Sequence, residues 1–173
     1  MSDANGRSRN GTASDTEPVT ALIGHPDTSE RAALGAVLHS GERIQVVALT
    51  GDGGEAVRLA QRLRPAVILL DDRVTAPDDQ DLIRALARWS PVIILTGATE
   101  RRAITALLCA PVRGCLVYGH FEAADLLGAV RAVAAGLGWL SPVAVAAASW
   151  QLRTRRQAAA ALVDRAENSP RGS

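Results

Sequence analysis

Four polar side chains stand where short apolar runs stop. Asp71 closes A-V-I-L-L-D, Thr96 closes V-I-I-L-T, His25 follows A-L-I-G, and Tyr118 follows G-C-L-V. A carboxylate gathered with a hydroxyl, an imidazole and a phenol could hold a small ligand. To work on an anionic group it would also need a cation and further oxygen ligands for a metal. All 19 basic residues are arginines and the chain has no lysine, which excludes every mechanism that needs an ammonium group. Zinc chemistry is not expected either. Cys109 and Cys115 have the wrong spacing for a closed ligand set, and His25 and His120 do not complete one. The loop T-G-D-G-G-E at 50–55 lacks the third glycine of a dinucleotide fingerprint and reads as a tight turn.

The elements that must position these residues alternate regularly. Apolar runs of strand length begin at Val19, Ile44, Ala66, Val92 and Gly114, bounded by Gly, Pro, Asp or Thr. V-V-A-L, A-V-I-L-L and V-I-I-L are apolar at consecutive positions, as in parallel strands buried on both faces. Helical spacing follows each run, over Ser29–Leu38, Glu55–Leu63, Asp79–Trp89, Glu100–Leu108 and Glu122–Leu137, with Thr28 or Ser29 as the first N-cap. Strand and helix repeated five times predict an α/β fold: a doubly wound, five-stranded parallel sheet with helices on both faces. Ligands of such sheets sit at the carboxyl ends of the strands, where the four polar residues lie. The chain divides into a disordered leader (1–17), the α/β domain (18–140), an Ala- and Arg-rich helical extension (141–168) and a disordered tail (169–173). A net charge of +1 gives no general attraction to nucleic acid or anionic lipid. No stretch approaches the length of a membrane span, and no export signal precedes the cysteines, so a cytoplasmic location with free thiols is expected.

Several segments together resemble a bacterial response-regulator receiver domain of the NarL/FixJ (LuxR-type) branch: P-A-V-I-L-L-D-D-R-V-T-A-P-D-D-Q-D-L-I-R-A-L at 65–86, P-V-I-I-L-T-G at 91–97, and A-V-R-A-V-A-A-G-L-G-W-L-S-P at 129–142. T-G-D-G-G-E-A-V-R-L-A at 50–60 adds to the match. The resemblance implies a flavodoxin-like (CheY-like) three-layer sandwich. It makes Asp71 the phospho-acceptor candidate and Thr96 the switch hydroxyl. It places the family's acidic pair on His25 and Pro26, its lysine on Tyr118, and its switch aromatic on Cys115.

Those departures bear on the chemistry. Magnesium favours octahedral oxygen ligation, and here one carboxylate stands beside an imidazole and a proline, so magnesium binding is expected to be weak or absent. Asp27 is the nearest other acid in sequence, and Asp72 should point to the far side of the strand. Tyr118 donates a hydrogen bond but carries no charge, and Arg73 or Arg113 would have to reach in by another path. Losing two acids and a lysine together is electrostatically coherent, because crowded carboxylates repel one another without cations. Thr96 has an alternative as a local strand-end cap, His25 as a turn residue without a role, and Cys115 as a small buried hydrophobe. The expectation is an atypical, non-catalytic receiver (a pseudo-receiver). It would act in regulation, transcriptional regulation foremost, through protein–protein contact with a regulator, a kinase or a second copy. The contact surface would be the fourth and fifth helices with the fifth strand, or the C-terminal helix. Two alternatives stay open: weak phosphorylation of Asp71 in a phosphorelay, and a small-ligand sensor in the vacated pocket of His25, Pro26, Asp71, Thr96 and Tyr118. The 31 residues that follow the W-L-S-P segment are too few for a helix-turn-helix domain, so direct DNA binding is not expected.

Overall fold

The computed structural model describes residues 17–76 and 81–167. The expected leader (except Glu17), residues 79–80 of the third expected helix and the expected tail lie outside them. The element order is β1 (Val19–Gly24), α1 (Thr28–Ser40), β2 (Ile44–Thr50), α2 (Gly53–Leu63), β3 (Val67–Asp71), α3 (Leu82–Ala87), β4 (Val92–Thr96), α4 (Arg101–Leu108), β5 (Gly114–Val117), α5 (Ala123–Ala134), β6 (Trp139–Leu140) and α6 (Pro142–Glu167). All neighbouring strands are parallel, in the order β2-β1-β3-β4-β5-β6.

The sheet has six strands rather than the five expected. The sixth consists of Trp139 and Leu140 alone, paired with Gly114 and Cys115. Two residues are too few to show a strand periodicity. They extend beside β5 because α5 ends early, at Ala134, and the chain turns through Gly136 at φ 86°. Of the three continuous apolar runs, β3 and β4 are buried along their whole length. β2 is not: it is an edge strand with one neighbour, and Leu49 is exposed.

Alternate side chains of the central strands feed two cores. Ala21, Ile23, Leu69, Ile93, Leu95 and Leu116 meet α1 and α5 on one face. Leu22, Ile68, Leu70, Ile94, Cys115 and Val117 meet α2, α3, α4 and the first turns of α6 on the other. Pro142 is the first residue of α6, where its missing N–H leaves no unmade bond. Ala144 and Ala147 of α6 are buried against α4, and Gln151 donates to Cys109 Sγ at 3.3 Å. Residues 152–161 of α6 are exposed. Asp27, rather than Thr28 or Ser29, caps α1 by accepting from Glu30 N–H at 2.8 Å.

The start of α2 is tied to the loop beyond β3. Gly53 N–H donates to Thr75 O at 3.2 Å, and a Cβ at this position would lie 2.5 Å from the same oxygen. Backbone cannot yield as a flexible side chain does. Gly53→Ala is therefore expected to lower stability by about 1–3 kcal/mol, read as a lower urea midpoint. An unchanged midpoint would contradict this packing.

Candidate functional site

The parallel sheet brings the ends of β1, β3, β4 and β5 to one edge in that order, and the polar residues follow that register. Asp71 Cα pairs with Leu95 and Thr96 with Val117, so Tyr118 emerges one step beyond the edge of β5. His25, just past β1, is anchored by its own N–H to Thr50 O at 2.9 Å. His25 and Asp71 are both fully buried.

Asp71 is saturated with donors. Its Oδ1 accepts from Arg73 N–H and from Arg73 Nε, both at 2.9 Å. Its Oδ2 accepts from Arg73 Nη2 at 3.1 Å and from the Tyr118 hydroxyl at 2.8 Å, with His25 Nε2 at 3.1 Å. The guanidinium thus grips both carboxylate oxygens as a fork, the geometry that arginine supports and lysine does not. It can do so from two residues away because the chain turns immediately after β3, where Val74 N–H donates to Asp71 O at 3.1 Å. Glu30, in the first turn of α1, closes the cluster, its Oε2 lying 3.2 Å from Arg73 Nη2 and 2.9 Å from His25 Nε2. Asp27 N–H donates to His25 Nδ1 at 3.1 Å. The same Nδ1 lies 3.1 Å from Asp27 O, and Nε2 faces the two carboxylates and, at 3.0 Å, Arg73 Nη2, so each ring nitrogen meets both a donor and an acceptor.

The electrostatics follow from these contacts. Burial pushes the Asp71 carboxyl up, but the Arg73 side chain and N–H, the Tyr118 hydroxyl and His25 together outweigh it, leaving its pKa below the ordinary value. The same hydrogen bond to Asp71 raises the Arg73 guanidinium further above its usual range. Burial first, then the bond to Asp71, raises the Tyr118 phenol, which stays a neutral donor. Burial and the nearby Asp72 charge push the Cys115 thiol up to about 11, as suits a core residue rather than a reactive thiolate.

The expected site residues are therefore only partly brought together. His25, Asp71 and Tyr118 form one cluster. Thr96 is buried nearby, but its hydroxyl donates to Asp72 Oδ2 and accepts from Ala98 N–H at 3.0 Å. This corrects the expectation for Asp72. It lies past the end of β3, where strand alternation has stopped, and its carboxylate comes to the same edge as Asp71. Pro26 is exposed and makes no contact with Asp71, and Asp27 is occupied as a helix cap. Cys115 lies in the α4-side core. Glu30 was not expected, and of the two arginines named as having to reach in by another path it is Arg73 that does. The one available signal was an arginine two positions after a strand-end carboxylate in a chain without lysine.

These residues do not fit magnesium. Both oxygens of Asp71 are engaged, and the Arg73 guanidinium is already seated on them. Among the described residues no group of three or more His, Cys, Asp or Glu could hold a metal ion. No helix among them is long and apolar enough to cross a membrane.

No protein-family model matches the chain. The transcriptional regulatory protein PdtaR of Mycobacterium tuberculosis is 28% identical over 154 residues, covering 87% of this chain and 72% of PdtaR. Protein-glutamate methylesterase/protein-glutamine glutaminase 3 of Myxococcus xanthus is 33% identical over 89 residues, covering 50% of this chain. The chain spans only about a quarter of the length of that methylesterase and of its paralogue. Among solved structures, the isolated REC domain of RcsB from Salmonella enterica serovar Typhimurium superposes with a TM-score of 0.67 at 18% identity, over 76% of this chain and 99% of that one.

A carboxyl held below its ordinary pKa adds stability that is present above about pH 4 and lost as the pH falls through its lowered folded value. Asp71→Asn is expected to be less stable than the parent at neutral pH, with the gap narrowing below about pH 4. Urea midpoints across that range check this, and a gap that stays constant would contradict a charge-paired Asp71. The chain has the fold of the RcsB REC domain and is similar in sequence to the transcriptional regulatory protein PdtaR.

Proposed function

We propose that this receiver works in two-component-type regulation, transcriptional regulation foremost, by protein contact without phosphoryl transfer and without catalysis of its own. The observation that carries the proposal is the Arg73 fork on Asp71. A phospho-acceptor must present a free carboxylate oxygen to an incoming group and share a divalent cation with it. Here Asp71 has no exposed surface, and its oxygens already satisfy a guanidinium, a phenol and an imidazole. Breaking that arrangement would leave a buried charge unpaired. Thr96, held by Asp72 and Ala98, is likewise not turned toward Asp71.

The arrangement of α6 favours the C-terminal helix as the partner surface. Its first turns cover α4 and the β5 side of the sheet, and Arg101 stacks on Trp150 with 5.1 Å to the ring centroid. Beyond Gln151, exposed Leu152 projects with Arg153, Arg155 and Arg156. Such a helix would suit an acidic, partly apolar protein face.

Titration with Mg²⁺ and beryllofluoride, followed by tryptophan fluorescence, tests the phosphorylation-independent reading. No saturable change is expected up to about 10 mM Mg²⁺, a range in which weak carboxylate sites fill. A saturable response abolished by Asp71→Asn would overturn the reading and restore Asp71 as an acceptor.

A further inference from the structure

The space vacated at the strand end is filled by Arg73, but a second, open space lies beside it. A cleft of about 780 Å³ runs between α1 and the start of α5, a size within the range of small-molecule sites. Leu34 and Val37 of α1 and Leu126 of α5 make its floor, with Ala33 and Ala123 alongside. Nothing among the described residues covers it.

Two features of the cleft point to a particular ligand chemistry. The first is aromatic. The chain has one tyrosine and one phenylalanine in 173 residues, and both line this cleft. Tyr118 and Phe121 lie 5.9 Å apart between ring centroids, tilted by 39°. The second is charge. Glu30 on the rim is paired with Arg73 and His25, which leaves Asp72, bonded to the Thr96 hydroxyl, and Glu122, in the capping box of α5, as rim carboxylates with no cation within salt-bridge distance among the described residues. The whole chain carries +1, so this acid excess is local. An anionic ligand would meet the carboxylates of Asp72 and Glu122. A cation would meet carboxylates and two aromatic rings, the combination that recognises ammonium groups.

We propose that this cleft binds a small organic cation, an ammonium on an apolar body, with the apolar part on Leu34, Val37 and Leu126. The ammonium sits toward Asp72 and Glu122, against Tyr118 and Phe121 and away from Arg73. Tyr118 ties the cleft to the buried cluster, since its ring lines the cleft while its hydroxyl donates to Asp71 at 2.8 Å. Occupancy would therefore be felt at the position where a phosphoryl group would act in a phosphorylated receiver. The proposal does not depend on which surface a protein partner uses.

The test is an NMR titration of the full, ¹⁵N-labelled chain with 3-phenylpropylammonium and, separately, with 3-phenylpropionate of matched shape. The ammonium is expected to give saturable shifts at Gly97, Tyr118, Gly119 and Phe121 with Kd about 1 mM or tighter. The carboxylate should bind at least about tenfold more weakly, and Phe121→Leu, which keeps bulk but loses the π face, should weaken the ammonium by about three- to tenfold. The spectrum of Phe121→Leu shows whether the variant keeps its fold. The proposal is overturned if the carboxylate binds equally well, if the shifts centre elsewhere, if Phe121→Leu binds unchanged, or if the ammonium does not saturate by about 10 mM.

Discussion

A carboxylate buried at the end of a central strand cannot stand alone, and in this protein the neutralising charge comes from its own chain, two residues away. Transfer of an isolated carboxylate from water to a protein interior is prohibitive unless it is paired and hydrogen-bonded. Asp71 meets that condition with the Arg73 fork on both oxygens, supported by Tyr118, His25 and a backbone N–H. With that pair in place, the cluster needs neither a lysine nor a divalent cation. The absence of lysine from the whole chain and an imidazole, His25, just past β1 fit this one arrangement.

The rest of the fold serves to hold the pair. Parallel register sets β1, β3 and β5 so that His25, Asp71 and Tyr118 converge at one edge. The bond from Gly53 to Thr75 fixes the loop beyond Arg73, and the cap on α1 brings Glu30 to the cluster. On the opposite face, α6 and β6 enlarge the sheet and cover α4, so the first turns of the C-terminal helix belong to the domain core.

Much of this was legible in the sequence, for identifiable reasons. Continuous apolar runs disclosed β3 and β4, and their carboxyl ends located Asp71 and Thr96. His25 and Tyr118 came from the register of the family resemblance. Three things were not legible. β6 is too short to carry a period, and the exposure of β2 depends on its place at the sheet edge. The partners of Asp71 and Thr96 depend on the turn after β3, where alternation ends: Asp72 comes to Thr96 and Arg73 folds back onto Asp71. A rule based on strand alternation sends Asp72 to the wrong side and gives no account of Arg73 at all.

The Arg73 fork can be read directly from hydrogen exchange of the arginine Nε–H groups, with the Arg73 signal assigned by its loss in Arg73→Lys. A guanidinium bonded through Nε to a buried carboxylate should exchange its Nε–H far more slowly than the exposed Arg153 and Arg155. Adding Mg²⁺ should leave that rate unchanged. An Arg73 signal that exchanges as fast as those of the exposed arginines, or that is released by Mg²⁺, would contradict the account.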